Sequence, residues 1–225
     1  KEMKRLPIIS GGIALLVLLI ILTDAFYIVR ETNQVIVTQF GKPIGNAVTA
    51  PGLHAKLPII QKANFFEKRW LEWDGDANQI PTKDKKFIWI DTYARWRIED
   101  PLIFFQRVRD ERGAQSRIDD IVDGNTRNQI AEYNLIELVR LSNRKFQISE
   151  ELKEMQSVRD TIDIELGREK LAEEVLEKSA KITSEFGVEL KDVKFKRINY
   201  VEEVQEKVFS RMIAERQRIA SKYRS

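Results

Sequence analysis

The chain contains no cysteine and only one histidine. Without cysteine there is no disulfide, no thiol nucleophile and no zinc–thiolate site, and nothing separates an oxidising compartment from a reducing one. Any serine–histidine–acid triad would have to use His54, and no second imidazole exists to join it at a metal. No G-x-G-x-x-G occurs, and neither Gly45 nor Gly52 is followed by the Lys and Ser/Thr of a phosphate-binding loop. Strong charge of one sign is missing too: 38 Lys and Arg stand against 35 Asp and Glu, a balance of +3. No basic cluster in the first 200 residues supplies the phosphate contacts that nucleic acid requires. No cofactor, metal or nucleic acid is therefore expected. A serine paired with a lysine or with His54 is the one catalytic arrangement left, so a membrane-bound serine peptidase stands as the alternative to a protein without an active site.

What the sequence has in quantity begins near its first residue. From Leu6 to Thr23 there is no charged side chain, and the run from Ile13 to Leu22 is wholly apolar. In lipid each central Leu, Ile or Val is favourable by roughly 0.3–0.6 kcal/mol. Ile13, Leu15, Leu16, Val17, Leu18, Leu19, Ile20, Ile21 and Leu22 are thus expected to form a membrane anchor. Lys1, Lys4 and Arg5 precede the run and only Arg30 follows closely, which places the amino terminus in the cytoplasm and the rest of the chain across the membrane. Phe26 and Tyr27 then fall at the far interface, and Asp24 at the exit, within reach of headgroup water. A cleavable signal peptide, with Thr23-Asp24-Ala25 as its small-residue site, is the rival reading.

Beyond the anchor the pattern changes from strands to helices and back. Residues 27–44 carry β-branched runs that close at Gly41 and Pro43, as a strand or hairpin does, and residues 62–73 form a second strand region. After a polar turn at 82–86, Ile88, Ile90, Ala94, Trp96 and Ile98 share one strand face. Phe87, Trp89 and Tyr93 occupy the other face ahead of Arg95 and Arg97, so the strand is expected to be covered on both sides at its start and wet on one side at its end. Residues 114–141 read as helix interrupted at Gly124-Asn125. In 168–186 the stripe Leu171, Val175, Ile182 and Phe186 marks a helix whose wet side holds Glu174/Lys178 and Glu177/Lys181, with Gly187 as its cap. Residues 188–198 alternate as a half-buried strand through Val188, Leu190, Val193 and Phe195, and reach Ile198 after a slip. A final helix from Val201 has Val201, Val204, Val208, Met212 and Ile219 near coiled-coil spacing, and is expected to continue past residue 225. Six basic side chains against two acids between Glu206 and Arg224 fit packing against neighbouring helices.

The stretch PGLHAKLPII, residues 51–60, sets His54 in a turn between Pro51-Gly52 and Pro58. A histidine there is expected to be a packed or interfacial side chain, and Leu53, Leu57, Ile59 and Ile60 share its neighbourhood. Together with VIVTQFGKPI, TKDKKFIWIDTYARWRIEDP, FGVELKDVKFKRIN and VFSRMIAERQRIASKYRS, in this order and spacing, the stretch resembles the superfamily of stomatins, prohibitins, flotillins and HflK/C proteins, the SPFH or band 7 proteins. Within it the resemblance is to the HflC family. It covers nearly everything from the anchor onward.

The resemblance implies an α+β fold: an N-terminal transmembrane helix, an SPFH-type mixed domain in two subdomains, and the start of a long C-terminal coiled-coil-like helix. The corresponding boundaries are 1–29 for the anchor and exit segment, 30–100 for a membrane-proximal β-rich subdomain, 101–199 for an α/β subdomain and 200–225 for the assembly helix. It also implies a scaffold of the bacterial inner membrane that alternates with an HflK-like paralogue in a large ring or cage around the AAA protease FtsH and controls substrate access. In that setting Leu53, His54, Leu57, Ile59 and Ile60 are architectural and membrane-proximal. A lipid-microdomain organiser with no protease partner is the remaining alternative.

Overall fold

Residues 23–143 and 163–224 are described by a computed structural model. The anchor residues Ile13, Leu15, Leu16, Val17, Leu18, Leu19, Ile20, Ile21 and Leu22 lie outside the described residues. Among the described residues, no helix is long and apolar enough to cross a membrane. Local alternation becomes strands β1 (Phe26–Val29), β2 (Asn33–Gln39), β3 (Lys42–Pro43), β4 (Gly52–Ala55), β5 (Gln61–Glu67), β6 (Leu71–Asp74), β7 (Asn78–Pro81) and β8 (Phe87–Ile98). Helices α1 (Pro101–Arg107), α2 (Glu111–Glu132), α3 (Leu135–Val139) and α4 (Arg168–Thr183) follow. After a 3-10 turn at Ser184–Phe186 come β9 (Val188–Tyr200) and α5 (Glu202–Arg224). The fold is mixed α+β. Its sheets are β1–β4, β3–β2–β5, and β6–β8–β7 with β9 paired on β8.

The chain forms two compact units: residues up to 71 with 96–114 and 183–189, and residues 72–95 with 115–182 and 190 onward. In the first, Tyr27, Val29 and Val35 form a core with Val37, Val48 and Ala63 against it. Phe66 meets Phe104 edge-on at 5.5 Å, and the buried Gln34 amide donates to the Ile98 carbonyl at 2.9 Å. The sequence Asp100-Pro101 starts α1 for a physical reason. The Asp100 carboxylate accepts from the Leu102 and Ile103 amides, and proline stands where an amide would have no helical partner. Gly187, with φ +72°, lets its carbonyl accept from the Glu99 and Asp100 amides at 3.0 and 3.2 Å.

The second unit buries Ile88, Ile90, Thr92 and Ala94 of β8 on one face, as the period of two requires. Phe87 and Trp89 on the other face are exposed, contrary to the expected double cover. Pairing with β6, β7 and β9 satisfies the strand's backbone, and a sheet so built needs apolar cover on one side only. Arg95 pairs with Asp192 of β9, which holds that carboxyl below its usual range. α2 runs unbroken through Gly124-Asn125, and the helix stops instead at Tyr133-Asn134. Asn125 donates to Ser179 of α4 at 3.0 Å, so the residue that weakens the helix locally is held by a tertiary hydrogen bond. Glu174 and Lys178, at the solvent-reaching edge of α4, both bond the buried Gln129 amide of α2. On α4 the buried stripe is Leu171, Ala172, Val175, Ser179 and Thr183, and Ile182 is exposed at the helix end.

Two side chains close the second unit around α3. Buried Glu137 accepts from the amides of Glu165, Leu166 and Gly167 at 2.8, 3.1 and 2.8 Å. Asn143 and the backbone of Ile164 exchange a reciprocal pair of hydrogen bonds, at 2.7 and 3.0 Å.

Candidate functional site

The β1–β4 ribbon sorts its side chains by register. Tyr27 opposes His54 and Ile28 opposes Leu53, with Phe26 opposite Ala55. Tyr27 and Val29 point into the core, so Phe26, Ile28 and Leu53 share the outward face and are exposed, Leu53 at 67%. His54 lies on the Tyr27 ring with centroids 5.7 Å apart, and its Nε2 donates to the Ala50 carbonyl at 2.9 Å. That bond fixes the ring as a turn brace, and among the described residues no serine or acid partners it.

Residues 56–60 follow as a loop tied from one point. The Asp24 carboxylate accepts from Lys56 Nζ at 2.7 Å and from the Ile59 amide at 3.1 Å, while Gln61 Oε1 accepts from the Leu57 amide at 2.8 Å. The ties hold Ile59 at φ +66°, a conformation that a β-branched residue rarely adopts. Its side chain is 83% exposed, with Leu57 and Ile60 exposed beside it in the chain. Sequence reasoning missed a second tip. β2 pairs with β5 through Gln39 and Gln61, so Phe40, next after Gln39, comes out at the same end of the sheet as Ile60. Phe40 has φ +49° and is also 83% exposed. The signal was the Phe-Gly pair between alternating runs, where a two-residue hairpin turn puts its first side chain outward.

On α5, Val201, Val204, Val208 and Ile219 are half-buried and Met212 is exposed. Phe209 and Ile213, absent from the expected stripe, are exposed on the adjoining face and widen it.

The polar clusters have structural explanations. Asp119 and Asp123 lie one turn apart on α2, and burial with repulsion from neighbouring carboxylates holds both carboxyls above their usual range. Asn78 donates to Asp123 at 2.7 Å. Among the described residues no group of three or more His, Cys, Asp or Glu could hold a metal ion.

The SPFH domain / Band 7 family matches residues 27–225. Protein HflC of Treponema pallidum (strain Nichols) is 37% identical over 232 residues, covering 97% of this chain and 70% of the relative. Protein HflC of Borreliella burgdorferi is 32% identical, over 99% of this chain and 70% of its own. The protein named Modulator of FtsH protease HflC in Escherichia coli (strain K12) is 25% identical, over 94% of this chain and 70% of the relative.

Proposed function

The chain belongs to the SPFH domain / Band 7 family, in its HflC group, and from that premise we propose that it is a membrane-anchored regulatory scaffold of the FtsH protease and not an enzyme. It assembles with an HflK-like paralogue into a ring or cage around FtsH and regulates substrate access. It resides in the bacterial inner membrane with its amino terminus cytoplasmic. The anchor and exit segment take residues 1–29, residues 30–100 form the membrane-proximal β-rich subdomain, 101–199 the α/β subdomain, and 200–225 begin the assembly helix. The observation that carries this reading is the apolar end of the first unit. Leu57, Ile59 and Ile60 lie on the loop that Asp24 ties just after the uncharged run, Phe40 comes out at the same sheet end as Ile60, and exposed apolar side chains there suit lipid. The printed name of the Escherichia coli relative supplies the protease, and the α5 stripe Val201, Val204, Val208, Met212 and Ile219 supplies a surface for neighbouring subunits.

Extraction from native membranes in mild detergent, followed by mass and composition analysis, tests the assembly. A megadalton-scale species containing an HflK-like protein and FtsH is expected. A small species lacking both, under conditions that keep other membrane complexes intact, overturns the proposal.

The absence of cysteine makes a second test clean. Single variants Ile59→Cys and Phe40→Cys, labelled with an environment-sensitive dye in reconstituted bilayers, are expected to emit to the blue of a Lys170→Cys control on α4. Emission equal to the control would remove lipid contact from the first unit.

A further inference from the structure

The second unit carries a cleft of about 340 Å3 where β8 and β9 meet the start of α5, a size within the range of roughly 300–1,000 Å3 typical of small-ligand sites. Trp89 and Asp91 come from the outward face of β8, Arg197 and Asn199 from β9, and Glu202 and Gln205 from the first turn of α5. None of these six side chains has a hydrogen-bond or ion-pair partner among the described residues. Trp89 as a residue is 41% exposed.

The chemistry of this set is selective. Two carboxylates only accept, one guanidinium only donates, and two amides do both. An anion entering the cleft meets Asp91 and Glu202, and a cation meets Arg197. A neutral polyhydroxylated ligand uses every group, because each hydroxyl both donates and accepts. Neighbouring hydroxyls also match the two-pronged edge of a carboxylate, amide or guanidinium. A pyranose further presents a flat face of C–H groups, which an exposed indole can cover as apolar surface.

We propose that this cleft is a saccharide-binding site, in which one pyranose ring lies on Trp89 and its hydroxyls are held by Asp91, Arg197 and Asn199, with Glu202 and Gln205 at the rim. The site is independent of the scaffold role. A free glycan and a glycolipid headgroup present the same ring.

The test is saturation-transfer NMR on the full chain in a detergent without a sugar headgroup, using chitobiose, maltose and cellobiose. A second arm measures binding of the reconstituted chain to vesicles bearing digalactosyldiacylglycerol. A response in either arm that is lost in Trp89→Ala supports the site, and the responding arm names the source. Gln205→Ala, on an exposed helix surface, weakens binding about fivefold, the equivalent of one net hydrogen bond, and keeps the test valid should Trp89→Ala fail to fold. Silence in both arms, or binding that neither variant changes, overturns the proposal.

Discussion

Gly187→Ala is expected to lower the thermal midpoint by roughly 5–20 °C, the consequence of a loss of about 2–5 kcal/mol in a chain of this size. Two costs add. At φ +72° an L side chain is strained by roughly 1–2 kcal/mol. A Cβ there would also lie 2.4 Å from the Asp100 carbonyl oxygen and 2.9 Å from the Phe104 amide, both backbone atoms at the start of α1. Neither can move without disturbing the two amide bonds to the Gly187 carbonyl and the Asp100 cap. Gly124→Ala is the matched control. Its Cβ meets nothing within 4 Å inside α2, so stability is expected to rise by about 0.4–1 kcal/mol. Thermal denaturation followed by circular dichroism reads both. A Gly187→Ala midpoint equal to that of the unaltered chain would mean that residues 184–189 do not pack on α1 as described.

Glu137→Ala should cost about 3–5 kcal/mol, because three backbone amides lose a charged acceptor at once. Burial alone would raise the Glu137 carboxyl, but the amides of Glu165, Gly167 and Leu166 together outweigh it and hold the group below the ordinary value of 4.5. A depressed folded-state value means that the folded protein binds this proton less readily than the unfolded chain. The stabilisation is therefore fully present above the unfolded value and is lost as pH falls through the folded one. Glu137→Gln keeps the shape and one acceptor, and should lose less while flattening the stability–pH curve in the acid range. Urea denaturation at neutral pH and between pH 5 and 3, at about half-unit steps, separates the charge from the packing. An unchanged midpoint in Glu137→Ala, with unaltered amide exchange at 165–167, would refute the role.

The parts of the fold that were legible in the sequence are those governed by period and by local chemistry. Ile88, Ile90, Ala94, Trp96 and Ile98 declared the buried face of β8, and Gly187 declared its cap. Val201, Val204 and Val208 showed one edge of α5, though not Phe209 or Ile213, which a stripe drawn at coiled-coil spacing leaves out. Gly124-Asn125 misled because Ser179, distant in sequence, holds Asn125 in place. The flanking prolines marked His54 as packed or interfacial, and the family resemblance marked the loop 51–60 as architectural, but its geometry was hidden. Nothing local couples Asp24 to the Ile59 amide, and nothing local brings Phe40 to the same sheet end. The saccharide cleft was equally hidden, since its six side chains come from three elements.

The reciprocal bonds between Asn143 and Ile164, with Glu137 locking the next three amides, bring the chain back to the point it leaves. The junction therefore acts as a clasp whose five hydrogen bonds open together, so the amides of residues 164–167 are expected to exchange as one event.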